Sequence, residues 1–134
     1  MLKVTLDSNV IISALISPGT SRKVLDLVHR GEIELFISPH ILQETAGVLQ
    51  EKFTWDSGVI KVALAEIKKL GTTVNPGERL FVIKDDESDN RIVECAVAGN
   101  VDFLITGDDH ILSVKEYAGI KFIKPGDLLK TLKS

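Results

Sequence analysis

Residues 4–13 read VTLDSNVIIS. Together with the residues before them, LKVTLD at 2–7 alternates and then turns polar, the pattern of a strand that ends at Asp7. Ser8 or Asn9 then offers a cap for a short helix through Val10–Leu15, and SPGT at 17–20 stops it. An acid therefore stands where an apolar strand hands over to a helix. Working outward, the same alternation continues along the chain. A helix fits Ser21–Arg30, with Gly31 as its stop; ELFIS at 34–38 is the next strand; Ser38 caps a helix from Pro39 to about 52. Residues 57–70 form another helix, and TTV at 72–74 and LFVIK at 80–84 are short strand-like pieces, the second either a strand or extended chain alone. The apolar helix RIVECAVAG follows the acidic turn DDESDN. DFLIT at 102–106 is a buried strand, followed by a helix from about 108 to 118, the strand IKFI at 120–123 and a closing helix from Pro125 to Leu132. Apolar strands alternating with amphipathic helices call for an α/β fold, a mostly parallel sheet covered on both faces. In such sheets ligands gather beyond the carboxyl ends of the strands, where strand order reverses.

The bulk numbers fit one domain spanning 1–134. At 134 residues, 44% apolar and 26% charged, the chain falls among ordinary globular proteins and far from disordered ones. A lone Cys95 excludes a disulfide framework and a cysteine zinc site, which makes a reducing cytoplasm the expected location. No apolar run approaches the roughly 20 residues needed to cross a bilayer, and the N-terminus reads as a strand instead of a signal peptide. A formal charge of −3 argues against a passive nucleic-acid-binding module, which would carry a basic footprint. An enzyme that meets phosphates through bound cations escapes that objection.

Four acids occupy particular places. Asp7 closes the first strand and Asp108 follows the DFLIT strand, so parallel strands bring both to one edge of the sheet; each also suits a helix N-cap. Asp89 precedes Ile92 and Val93 by three and four residues, which puts it on their buried helical face. Its neighbours Asp85, Asp86 and Glu87 read as a solvated turn, with Ser88 or Asp89 starting the helix. Glu44 lies beyond the first turn of its helix, where capping and the macrodipole no longer explain an acid. On the helical wheel it flanks the inward stripe beside Ile41 and Val48, but Glu51 lies near the same side and the wheel does not choose between them. Clustered carboxylates repel unless cations occupy them. Oxygen ligands alone favour Mg²⁺ or Mn²⁺ over zinc, and the expected chemistry is phosphodiester hydrolysis by water without a covalent intermediate.

At these residues the chain resembles the PIN-domain family over essentially its whole length. The matching pieces are LDSNVIISAL at 6–15, SPHILQE at 38–44, DNRIVECAVAG at 89–99 and DFLITGDDHIL at 102–112. The resemblance implies a three-layer α/β/α sandwich and a metal-dependent nuclease site, usually cleaving RNA. It puts the catalytic and metal-binding acids on Asp7, Glu44, Asp89 and Asp108, which selects Glu44 over Glu51, with Asn9 and Thr106 as supporting polar groups. Many small stand-alone members are VapC-like toxins that form homodimers and are held inactive by a small antitoxin. The segment SPGTSRKVLDL at 17–27 resembles a subgroup labelled as toxins. One departure stands out: where relatives often place a further acid two residues after Asp108, this chain has His110. Arg22, Arg91 and His110 are the candidate substrate contacts, although Arg91 suits a pair with Asp85 or Glu87 equally well. His29 and His40 read as structural or surface residues.

Three rival readings stay open. A phosphatase of the haloacid-dehalogenase kind also starts from an Asp at a strand end, but needs a second Asp where this chain has Asn9. A receiver-like signalling domain wants its paired acids early in the chain, whereas the pairs here are late, at 85–86 and 108–109. A non-catalytic PIN fold would bind RNA or a partner without cutting. Neither a P-loop nor a G-x-G-x-x-G is present, so a nucleotide cofactor has no support.

Overall fold

A computed structural model describes residues 1–133. Its elements run β1 (Lys3–Leu6), α1 (Ser8–Ile16), α2 (Thr20–His29), β2 (Glu34–Ile37), α3 (Pro39–Glu51), α4 (Ser57–Leu70), β3 (Thr72–Thr73), α5 (Glu87–Ala98), β4 (Phe103–Ile105), α6 (Asp109–Leu112), β5 (Glu116–Tyr117), β6 (Ile120–Ile123) and α7 (Pro125–Lys133). The sheet order is β3-β2-β1-β4-β6-β5. Every pairing is parallel except β5 with β6. Helices cover both sides of the sheet, as the alternation of elements demands.

The centre of the sheet is β1, and burial on both faces explains its composition. Val4 and Leu6 are fully buried, and so is Thr5, whose hydroxyl donates to the carbonyl of Phe36 at 3.1 Å and so satisfies a polar group inside the core. α5 lies across β1, β2 and β4. It brings Ile92, Val93, Cys95 and Ala96 into the core, with Ile92 and Val93 each contributing about 1.5–3 kcal/mol by burial. The close approach leaves no room at its end: a Cβ on Gly99 would meet the Phe36 ring at 2.9 Å. From β1 the chain moves outward to β2 and β3, then returns through α5 to β4 on the other side. Strand order therefore reverses between β1 and β4, whose ends are level, with Leu6 opposite Ile105.

The structure resolves one open expectation and corrects another. LFVIK at 80–84 joins no ladder, and the chain bends at Ile83 and turns at Lys84. Its backbone is met instead by α5 side chains: Glu94 accepts from the Leu80 N–H at 2.8 Å, and Asn90 accepts from the Ile83 N–H and donates to the Ile83 carbonyl, both at 2.8 Å. The alternation that resembled a strand only turns Ile83 inward and leaves Phe81 87% exposed. The helix expected over 108–118 ends at Leu112. Lys115 takes a positive φ of 73°, and Ala118 and Gly119 at 52° and 80° close a hairpin that pairs β5 with β6. Among the described residues no helix is long and apolar enough to cross a membrane.

Candidate active site

Asp7 is placed by the ladder itself. Its N–H donates to the Ile105 carbonyl at 2.9 Å, so the backbone is still held by β4 where the side chain leaves the sheet edge. The carboxylate is only 2% exposed. Thr106, fully buried at the end of β4, donates its hydroxyl to Asp7 Oδ2 at 2.7 Å and accepts the Asp108 N–H at 3.0 Å. One threonine thus joins two acids. Burial pushes the Asp7 carboxyl above the usual range; the bonds from Thr106 and the Asn9 N–H oppose this, and the charge on Glu44 adds to it. Asp108 caps α6, accepting from the N–H groups of His110 at 2.8 Å and Ile111 at 3.4 Å. Asp7 likewise takes the capping position of α1, with a longer 3.4 Å contact to the Asn9 N–H. Capping and membership of an acid cluster are compatible roles here, since each carboxylate has a second oxygen.

The other acids come from helices. Ser38 and Pro39 start α3 and set the phase that carries Glu44 inward, while Glu51 ends the helix exposed. Glu44 Oε1 accepts from the Ser8 hydroxyl and Oε2 from the Ser88 hydroxyl. Ser8 Oγ also lies 3.3 Å from Asp7 Oδ1, which links Glu44 to the strand-end acids. His40, one helical turn before Glu44, has its Nε2 3.7 Å from Glu44 Oε2 and 3.3 Å from Ser88 Oγ.

Asp89 stands in the first turn of α5. Asp86 caps that helix, its Oδ1 accepting the Asp89 N–H at 2.9 Å. Burial, then the charges of Asp108, Asp86 and Asp7, push the Asp89 carboxyl up to about 7. Its Oδ2 is buried and has no hydrogen-bond partner. Ligand atoms of Asp86, Asp89 and His110 all lie within 4.8 Å of one another. Asp7, Glu44, Asp89 and Asp108 are therefore brought to one edge of the sheet, coupled through Ser8, Thr106 and mutual repulsion.

The supporting residues are placed less uniformly. Thr106 touches the acids directly. Asn9 is exposed and meets Asp7 through its backbone N–H, while the buried hydroxyl beside the acids belongs to Ser8. The two arginines expected at substrate are engaged elsewhere. Arg22 donates through Nε to the Ala14 carbonyl at 2.9 Å, closing the end of α1. Arg91, about 200° round the helix from Asp89, pairs with Glu94 at 2.7 Å and Glu87 at 3.2 Å and is only 12% exposed. His110 is exposed and stands with Asp86 and Asp89. Sequence reasoning missed Asp86, Ser8, Ser88 and His40. A signal for Asp86 was available: Asp is a favoured N-cap, and Asp86 stands just before the helix that carries RIVECAVAG.

A sheet-edge cluster of carboxylates at a topological switch point, with one buried oxygen left unpartnered, is a donor set that fits a hard divalent cation. That defines a class: an α/β protein with an acidic, metal-compatible centre. The particular family follows from comparison with known proteins. The family profile described as PIN domain matches residues 3–110, and the chain belongs to that family. An uncharacterized protein of Methanocaldococcus jannaschii, MJ1680, is 31% identical over 121 residues, covering 86% of this chain and 76% of the relative. Among solved structures, VapBC2 from Rickettsia felis, crystallised bound to a DNA fragment from its promoter, superposes with a TM-score of 0.65 at 17% identity, covering 90% of this chain and 97% of that one. PAE2754 from Pyrobaculum aerophilum does so with 0.65 at 15% identity, covering 98% and 90%. At these identities the two structures speak for the fold.

Proposed function

We propose that this chain is a single-domain, divalent-metal-dependent endoribonuclease that hydrolyses RNA phosphodiesters, and that it is the toxin component of a toxin–antitoxin pair. The observation that carries the reading is the convergence on one sheet edge of Asp7 and Asp108, each standing between a strand and a helix, with Glu44 of α3 and Asp89 of α5, and an unpartnered buried oxygen on Asp89. Family membership and the fold shared with VapBC2 support it. Asp7 and Asp108 are the residues to hold an ion from the strand ends, with Asp89 and Glu44 completing the shell directly or through water. Bound Mg²⁺ or Mn²⁺ would supply charge stabilisation at the phosphate oxygens and a lowered pKa for the attacking water. The chain's own contribution is positional. Thr106 fixes the orientation of Asp7. Ser8 and Ser88 donate to Glu44, which keeps it an acceptor and leaves its remaining lone pairs to orient a water.

A small antitoxin protein and a second copy of this chain are the partners this reading calls for, and the cytoplasm is its location. There the buried Cys95 thiol, pushed up to about 11 by burial, is inert. The phosphatase reading is disfavoured by the exposed, carboxyl-free Asn9 at the position its acid would need. The test is cleavage of single-stranded RNA with Mg²⁺ or Mn²⁺, with and without chelator, for the chain and for Asp7→Asn. Metal-dependent cleavage that Asp7→Asn abolishes is expected. RNA binding without cleavage at any metal concentration would replace the enzyme with a non-catalytic PIN protein.

A further inference from the structure

We propose that the cleft lined by Phe81, Lys84 and Asp86 takes an unpaired base of single-stranded RNA, stacked on the Phe81 ring next to the phosphate that is cut. The proposal deepens the nuclease reading and rests on it for the identity of the nucleic acid. Among the described residues Phe81 is, after Met1, the most exposed large apolar side chain, at 87%. One such residue is ordinary on a protein surface; its surroundings set this one apart. The ring lines a cleft of about 730 Å³, within the roughly 300–1,000 Å³ range of ligand sites. Asp86 lines the same cleft, and its carboxylate lies within 4.8 Å of an Asp89 oxygen. The cleft therefore adjoins the acid cluster. The backbone is held on either side of the ring, the Leu80 N–H donating to Glu94 and the Ile83 N–H to Asn90, both at 2.8 Å. An aromatic side chain with two torsions on a held backbone loses little freedom when a base covers it.

The chemistry of the lining selects a base over other occupants. Asp85, Asp86 and Glu87 line the cleft with Phe81, and three carboxylates repel a phosphate. The neutral base is the part of a nucleotide that escapes this repulsion, and every base has a π-face to lay on the ring. Arg79 and Lys84 line the cleft and are exposed, with Arg79 at a long 3.8 Å from Glu94; they are the cations available to the flanking phosphates. A protein partner would need the opposite composition, because the centres of protein interfaces are apolar and depleted of charge. Here the charged lining residues outnumber the apolar ones. Stacking on a side chain also requires bases that are free of a duplex, so the ring favours single strands.

The test is binding of a labelled, mixed-sequence single-stranded RNA carrying 2-aminopurine, whose emission falls when it stacks. Anisotropy and emission are read on the unaltered chain with chelator, and on Asp7→Asn with Mg²⁺, so that the RNA stays uncut. Phe81→Ala, which leaves folding intact because the ring is exposed, should weaken binding about 5- to 150-fold and restore the emission. Phe81→Trp should keep both the affinity and the quenching. A duplex of the same length should bind Phe81→Ala and its parent alike, whereas Lys84→Ala should weaken both RNAs and lower the salt dependence. If Phe81→Ala binds and quenches like its parent, the base site is refuted, and the nuclease centre stands as long as the unaltered chain cleaves RNA with metal. Equal losses on single strand and duplex would also refute it. So would an unchanged RNA affinity accompanied by a shift in sedimentation from dimer to monomer, which would assign the ring to a protein interface. If the unaltered chain neither binds nor cuts RNA, both readings fall.

Discussion

Asp7 and Asp89 belong to one cluster of acids, but the backbone that holds each is built differently. Asp7 leaves the central strand of a parallel sheet, still hydrogen-bonded to β4, with Thr106 braced against it at 2.7 Å. Its position is a consequence of strand register. Asp89 stands at the mouth of a helix preceded by a loop that pairs with no strand. That loop is latched to α5 by Asn90 and Glu94, and Asp85 within it takes a positive φ of 57°. Sheet register is cooperative and hard to shift without moving whole strands. A side-chain latch is local and opens when one residue is removed. One half of the site is therefore rigid by construction, and the other is adjustable.

Substitutions on each side test whether the two halves are held as differently as their hydrogen bonds indicate. The largest effect is expected from Asp7→Asn, which should reduce metal-dependent cleavage by more than about 100-fold, beyond the range typical of outer-shell residues. Its melting temperature should be unchanged or higher, because a buried carboxylate raised in pKa by desolvation is removed. A folded Asp7→Asn protein that cleaves normally would remove the strand-end acid from the mechanism. Thr106→Val comes next. It keeps the shape but takes the donor from Asp7 and the acceptor from the Asp108 N–H, and cleavage should fall about 10–100-fold. Asn90→Ala acts on the other half. It strands the Ile83 N–H and carbonyl, and urea unfolding should register a loss of about 1–3 kcal/mol. Hydrogen exchange should accelerate over residues 80–86 while β1 and β4 remain protected; equal acceleration in both would show that the two halves of the site open together.

The smallest effect is a pH dependence. The Asp89 carboxyl rises from 3.8 in the unfolded chain to about 7 in the folded, metal-free protein, so the folded state holds that proton more tightly. Its stabilising contribution is fully present below pH 3.8 and is lost as pH rises through about 7. The melting temperature of the metal-free protein should carry a small component that declines over that window, reduced by solvent screening because Asp89 is half-buried. Asp89→Asn should remove that component, and a melting profile in which the variant and the unaltered chain run parallel from pH 4 to 7 would contradict the assignment.

How much of this could be read in the residues differs between the two halves in the same way. Asp7 and Asp108 follow from local pattern, because an acid directly after an apolar strand reaches the same edge as its parallel neighbours; Thr106 entered through the family resemblance. Asp89 follows from its helical spacing to Ile92 and Val93. Glu44 against Glu51 did not follow from the wheel, since the choice depends on α3 meeting α1 and α5, a contact between segments 36 and 44 residues apart. Asp86 was read as part of a solvated turn, and it becomes a ligand candidate only once α6 folds His110 over it. Arg22 and Arg91 were read by proximity in sequence to the acids. Their partners, a helix C-terminus and the buried Glu94, are matters of which way a side chain turns.

By itself, then, the sequence determined the alternation of strand and helix, the parallel sheet and the strand-end acids, because these depend on periodicities of two and 3.6 residues that burial enforces locally. Only folding contacts fixed that residues 80–84 are latched to α5 without joining a ladder and that His110 faces two carboxylates. The helical wheel left Glu44 and Glu51 open, and the family resemblance selected Glu44, which the structure places beside Ser8 and Ser88. Glu44 meets Ser8 and Ser88 from 36 and 44 residues away, whereas the latch on residues 80–84 reaches only 7 and 14 residues along the chain. In both, the direction in which a side chain turns decides the outcome, and no periodicity specifies that.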